Sequence, residues 1–311
     1  MKSKFIYLIL AAFFITSISF SQEETSSDKK EGGSLEELSK QIANPLAQIW
    51  NLSFQQNFTT LKGDLLDGKE HISTTLFQPV LPVPINDEWT AFARPVITFY
   101  NAPTNGTISG GSPLDPLVSG TDTKFKLGDI ILPIGVGKAK AEGWSWGGGF
   151  TFIFPSSSND LLGSHKYQMG PTALLLWGNK DWMIGGHLQH WWSIGNDNAS
   201  SDDPLINASI INKHNSSTNH SALQYFIIRH LPNAWQIRAS PIVSVNWNGA
   251  TDNKVTLPLA IGVGKMVKLG PMPVMLMAEY QKAIVTPDAI GMDYTIMLQA
   301  NFIIPNPFGS L

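Results

Sequence analysis

The chain has 311 residues, a formal net charge of −3 and 14% charged residues, where soluble domains usually carry about 25%. It has ten tryptophans, sixteen phenylalanines and no cysteine. The missing cysteine excludes disulfides, thiolate metal sites, a cysteine nucleophile and the lipidated cysteine of a lipoprotein. The mild acidity argues against nucleic acid as a partner.

Residues 1–22 read as a secretory signal peptide. Lys2 and Lys4 form a positive start, residues 5–18 are almost wholly apolar, and Ser-Phe-Ser-Gln offers a cleavage site. Losing the two lysines and no acidic residue takes the net charge from −3 to −5. The apolar run is too short for a spanning helix, and every later one is cut by Gly, Pro, Asn or a charge. Any membrane crossing must therefore use β-strands. Residues 23–49 are expected to form a periplasmic leader. Its polar start, through residue 33, should be disordered. A capping box, Ser34 with Glu37, then opens a short helix over 34–43 that Pro45 ends. Leu35, Leu38 and Ile42 share one face, and Glu36 is placed to pair with Lys40. So short a helix needs a surface to dock on.

From Trp50 onward twelve segments look like strands: 50–59, 71–83, 89–100, 125–137, 143–155, 165–177, 181–194, 219–230, 234–247, 254–267, 271–282 and 291–303. The segment 234–247 shows the pattern best, alternating without a break. Trp235, Ile237, Ala239, Pro241, Val243, Val245 and Trp247 fall on one face. Gln236, Arg238, Ser240, Ile242, Ser244 and Asn246 fall on the other. Period two means a strand with unlike faces. A tryptophan at each end of the apolar face matches the interfacial girdles of a membrane strand. Trp144, Trp182 and Trp192 repeat the motif on other segments. Segment 125–137 is apolar on both faces, and its register is not fixed by pattern.

Connections alternate in length. Short ones lie at 84–88, 138–142, 178–180, 231–233 and 268–270, and longer ones at 60–70, 101–124, 156–164, 195–218, 248–253 and 283–290. Short periplasmic turns opposite long outer loops, with an even strand count, describe a single all-β, twelve-stranded antiparallel up-and-down barrel over residues 50–305, followed by a tail at 306–311. Its inward face would carry Gln55, Gln78, Arg94, Asp129, His187, Gln189, Gln236, Arg238, Glu279 and Asp293. Each of these either guides a solute or belongs to a network that fills the lumen. Phe92, Met275, Met277 and Met297 also point inward, and they suit either a greasy solute or packing against helix 34–43.

The stretches IANPLAQIWNLSFQQNF, TLFQPVLPVPINDEW, ARPVI, LGDI, MGPTALLLW, LPNAWQIRASPIVSVNWN, VTLPLAIGVGKMVKLGPMPV and LQANFIIP run from Ile42 to Pro305. In this order they resemble the outer-membrane barrel family named for the meta-pathway of phenol degradation. Many of its members are called "transporter" or "neuromedin U". The resemblance implies a barrel in the outer membrane of a Gram-negative bacterium, distantly similar to channels for hydrophobic substrates, with no catalytic residues. The loops 101–124 and 195–218 look individual, and loops carry selectivity.

The expected function is passive passage of small hydrophobic or aromatic solutes, with outer-membrane lipid and the barrel-assembly machinery as further partners. No pattern calls for a cofactor, and no Gly-rich phosphate loop is present. His187 and His190, three apart on a strand, face opposite ways and cannot chelate one metal. His214 and His220 lie in or beside a loop, and a loose cation site at Asp197, Asp202 and Asp203 lacks EF-hand spacing, so no metal is expected. Two other readings stay open. One is a sealed structural or surface-interaction barrel. The other is a lipase-like enzyme using Ser221 and His190, which share the lipid face without an orienting acid.

Overall fold

The alternating segments become the staves of a barrel in a computed structural model, which describes residues 35–102, 123–160 and 162–308. The signal peptide, the polar leader with the Ser34 capping residue, loop residues 103–122 and residues 309–311 of the tail lie outside the described residues. All described residues belong to one compact unit, Ser34–Leu311.

A helix, α1 (Leu35–Gln41), comes first. Then follow β1 (Trp50–Lys62), β2 (Glu70–Pro84), β3 (Thr90–Ala93), β4 (Ile97–Ala102), β5 (Thr123–Leu127), β6 (Ile130–Lys138), β7 (Gly143–Phe154), β8 (Lys166–Gly178) and β9 (Trp182–Asn196). A second helix, α2 (Pro204–Asn215), precedes β10 (Asn219–Leu231), β11 (Trp235–Ala239), β12 (Ile242–Asn246), β13 (Val255–Leu269), β14 (Met272–Val285) and β15 (Gly291–Ile304). Three pairs (β3 with β4, β5 with β6, β11 with β12) lie end to end, so fifteen segments make twelve antiparallel staves. β1 pairs with β15 on one side and β2 on the other, which closes the sheet into a barrel, with only the short β5 keeping an unpaired side among the described strands. Among the described residues no helix is long and apolar enough to cross a membrane.

The outward face is apolar, as period two requires. Phe54, Phe150, Leu188, Ile237, Ile261 and Ile296 are exposed around the wall, and Trp144, Trp182, Trp192, Trp235 and Trp247 are exposed near its ends. Short turns lie at the end that also holds α1, the start of β1 and the end of β15. One of them turns at Gly270, whose φ of +61° favours a residue without Cβ.

Three segments expected to be unbroken are broken. Each break has a local cause. Pro95 and Pro241 have no N–H to give the ladder. Around Pro95 the register against β6 is kept by bonds from Arg94 N to Pro133 O at 3.1 Å and from Val96 N to Ile131 O at 2.7 Å. Beside Pro241, Ser240 N donates to the Glu279 carboxylate at 3.1 Å. The third break, at Gly128 and Asp129, follows Phe125, which sits at φ 52°. The long connection 195–218 also differs from expectation, because it contains α2. The Asp203 carboxylate caps this helix, accepting from Leu205 N at 2.8 Å and Ile206 N at 3.2 Å, and Pro204 occupies its first turn.

This topology puts α2 and turn 178–180 at opposite ends. An epitope tag inserted before α2 should be labelled on intact cells, and one in 178–180 only after the outer membrane is opened. The reverse labelling would invert the orientation.

Candidate functional site

The lumen is filled unevenly. On the side of β6 to β10 it is packed. Ile131, Ile153, Trp191 and Ala222 form one apolar cluster. Thr151 donates to Gln189 at 2.9 Å and accepts from the Trp191 indole at 3.1 Å. His187 pairs with Thr172 at 2.7 Å, and His220 with Gln168 at 2.7 Å. Most polar groups in this half are matched inside the wall, as burial demands, though Asn219 Oδ1 and His230 Nδ1 are buried without a partner among the described residues.

On the side of β14, β15, β1 and β2 a cavity of about 280 Å³ remains. Its wall is a ladder of neutral polar groups, among them Asn51, Ser53, Gln55, Gln78, Gln299 and Asn301, interleaved with Met275, Met277 and Met297. Phe92, by contrast, is buried in the packed half.

Two arginines bear on the cavity. Arg94 reaches in from the junction of β3 and β4, donating to Gln78 Oε1 at 2.7 Å and, across the lumen, to Gln224 Oε1 at 3.2 Å. Gln78 in turn donates to Gln55 at 3.0 Å. Arg238 donates from Nε to Glu279 Oε1 at 2.8 Å. The two residues flank Gly262, where a Cβ would lie 2.4 Å from Glu279 Cγ, so only glycine leaves room for this bridge.

Asp293 lies near the end of β15 next to the long loops, where Lys69 approaches at 2.7 Å, Lys62 at 3.8 Å, and Lys282 also bonds it. Asp129 is not part of the cavity wall. From the break between β5 and β6 it accepts from Ser157 N at 3.3 Å and Ser164 N at 2.8 Å, and so holds loop 155–165 in place.

The leader segment fills the mouth among the short turns. Leu35, Leu38 and Ile42 pack on Met266, Met275 and Met277. Gln236 donates to Ser39 O at 2.7 Å and Ser39 Oγ at 3.0 Å. Glu36, rather than pairing with Lys40, accepts from Asn233 N in the turn before β11 at 2.6 Å. Beyond α1, Asn44 donates to Ser145 at 3.1 Å. Leu46 is fully buried among Phe92, Leu174, Leu176, Met183, Phe226 and Ile228. Its Cδ1 lies 2.7 Å from where a Cβ on Gly137 would stand, so that glycine makes its seat. Sequence reading missed Leu46, because nothing local marks it as inward-facing.

Ser221 and His190 do meet on the lipid face, with Oγ 2.7 Å from Nδ1, and Trp247 Nε1 donates to the same oxygen at 2.9 Å. The other imidazole nitrogen is buried without a partner. The pair therefore lacks the orienting group a hydrolase would need. On the side of the long loops, His165, Asp197 and His214 come together. Spacing along the sequence did not show this group, which draws on three separate segments.

No family model and no curated protein matches the chain. Solved structures do. An outer-membrane channel from Pseudomonas putida F1 aligns over 82% of this chain and 94% of its own, with 12% identity and a TM-score of 0.58. The NanC porin aligns over 81% and 98%, with 12% identity and a TM-score of 0.48. Outer membrane phospholipase A from Escherichia coli aligns over 83% and 97%, with 12% identity and a TM-score of 0.40. The closed barrel, its apolar outer belt and the fold it shares with the P. putida channel place the chain in the outer membrane of a Gram-negative bacterium.

Proposed function

We propose that the barrel passes small hydrophobic or aromatic solutes by diffusion and that α1 narrows its periplasmic mouth. The observation that carries this reading is the off-centre cavity, which Ile42, Ala43 and Pro45 of the leader close at one end. Its wall offers amides, hydroxyls and thioethers. Thioethers contact aromatic rings favourably, by about 0.3–1.5 kcal/mol, and amides can bond a ring hydroxyl. Contacts this weak suit passage, since a tightly held solute would not leave. The resemblance to the phenol meta-pathway family supports the same solute class. Outer-membrane lipid and the barrel-assembly machinery are the partners such a protein requires.

The test is uptake of a small aromatic solute into proteoliposomes by Leu38→Asp/Ile42→Asp. Two carboxylates facing the methionine cluster should release α1. Uptake should rise several-fold with urea stability nearly unchanged, because the hydrogen-bonded wall is untouched. Equal uptake by the parent and the variant would mean that α1 does not restrict passage. No uptake by either would favour a sealed barrel.

A further inference from the structure

We propose that His165, Asp197 and His214 form a binding site for a divalent transition-metal ion of the zinc type on the face of the long loops. The site would clip α2 to the ends of β8 and β9. His165 immediately precedes β8, Asp197 follows β9, and His214 lies in the last turn of α2. One potential ligand atom from each lies within 4.8 Å of the other two. His165 Nδ1 is 2.8 Å from Asp197 Oδ2, and His214 Nε2 is 2.9 Å from Asp197 Oδ1. Widening these two separations to the edge of a tetrahedral site, about 3.3 Å for bonds of 2.0–2.1 Å, takes only small movements of the side chains.

The neutral His165 ring is one donor short of its contacts. His165 Nε2 faces Asp160 O at 2.8 Å, while Nδ1 faces the Asp197 carboxylate. Both partners are acceptors. A neutral imidazole has one N–H, so it satisfies one of these contacts and sets a lone pair against an oxygen in the other. A second ring proton or a cation between Nδ1 and the carboxylate resolves the conflict, and titration with Zn²⁺ distinguishes the two. With the cation, the bond from Nε2–H to a backbone carbonyl is the second-sphere arrangement that fixes a ligating histidine.

The surroundings are built to match. Asp197 Oδ1 also accepts from Ala199 N at 3.1 Å, and Asp197 N donates to His165 O at 3.2 Å. Lys166 Nζ bonds Asn196 Oδ1 at 2.7 Å and His214 O at 2.8 Å, joining the same three segments. His165 keeps φ at 55°, a left-handed conformation uncommon outside glycine. The His214 and Asp197 side chains are about one-fifth exposed, which leaves one side of the site open to water. Two imidazoles, one carboxylate and an open position suit zinc, copper or nickel better than calcium or magnesium.

The probe is Zn²⁺ alone, titrated calorimetrically at fixed pH into the full chain refolded in detergent. One saturable site is expected. His214→Ala and Asp197→Asn should each weaken it at least tenfold while leaving the heat-modifiable barrel band intact. Zn²⁺ should also protect residues 197–216 from protease in the parent but not in His214→Ala. Absence of saturable binding would leave a proton-bridged staple and overturn the assignment. Binding that survives both substitutions would place the ion elsewhere and overturn it equally.

Discussion

Val243→Arg should abolish barrel assembly, while Ser244→Arg should assemble. The two positions are adjacent on β12, but their side chains leave opposite faces of the wall. Val243 pairs with Leu223, which is exposed on the lipid side, whereas Ser244 lines the cavity. Val243 lies near the middle of the stave running from Trp235 to Trp247, where an outward arginine costs about 2–4 kcal/mol. Two staves share the disturbance, because β12 pairs with both β10 and β13. An arginine at Ser244 can instead extend its charge into a lumen already lined with amides. Heat-modifiable bands on a gel report the outcome. Equal assembly of both variants would mean that the register of this stave is shifted by one residue.

The largest loss of stability without loss of topology is expected for Glu279→Ala. The Glu279 side chain is fully buried and that of Arg238 is 10% exposed. The carboxylate accepts from Arg238 Nε at 2.8 Å and from Ser240 N at 3.1 Å, the backbone donor that Pro241 diverts from the ladder. Removing it strands a guanidinium and an N–H together, which should cost about 3–5 kcal/mol. Breaking the exposed pair of Lys138 and Glu88 should change stability far less, because solvent screens it. Replacing both partners, Arg238→Met with Glu279→Leu, should recover most of the loss, since no buried charge then remains. Urea unfolding followed by tryptophan fluorescence measures all three. A loss below about 1 kcal/mol for Glu279→Ala would mean that lumen water solvates the pair.

These contrasts show what the sequence carries and what it withholds. Alternation is a local property. The twelve staves and the tryptophans at their ends could therefore be read directly, whereas segment 125–137, apolar on both faces, gave no register. The docking face of α1 could also be read, since Leu35, Leu38 and Ile42 fall one helical turn apart. The breaks were half-visible. Pro95 and Pro241 are plain in the sequence, but the partner of the freed Ser240 N–H is a carboxylate two staves away. The cap of α2 was legible in Asp203-Pro204 and was masked by the polar, loop-like composition around it. Leu46 and the cluster of His165, Asp197 and His214 depend on where closure of the barrel brings distant segments, and no spacing along the chain encodes that. Nor could alternation tell which half of the lumen is packed and which is open. That depends on the volumes of Trp191, Ile153 and their neighbours summed across several staves.

We propose a channel whose opening the leader restricts. Planar-bilayer conductance of the refolded chain, with and without residues 22–49, tests it most directly. Small, infrequent conductance is expected for the full chain and a clear increase once the leader is removed, with the barrel still heat-modifiable. Two silent proteins would contradict the channel, and two that conduct equally would contradict the restriction.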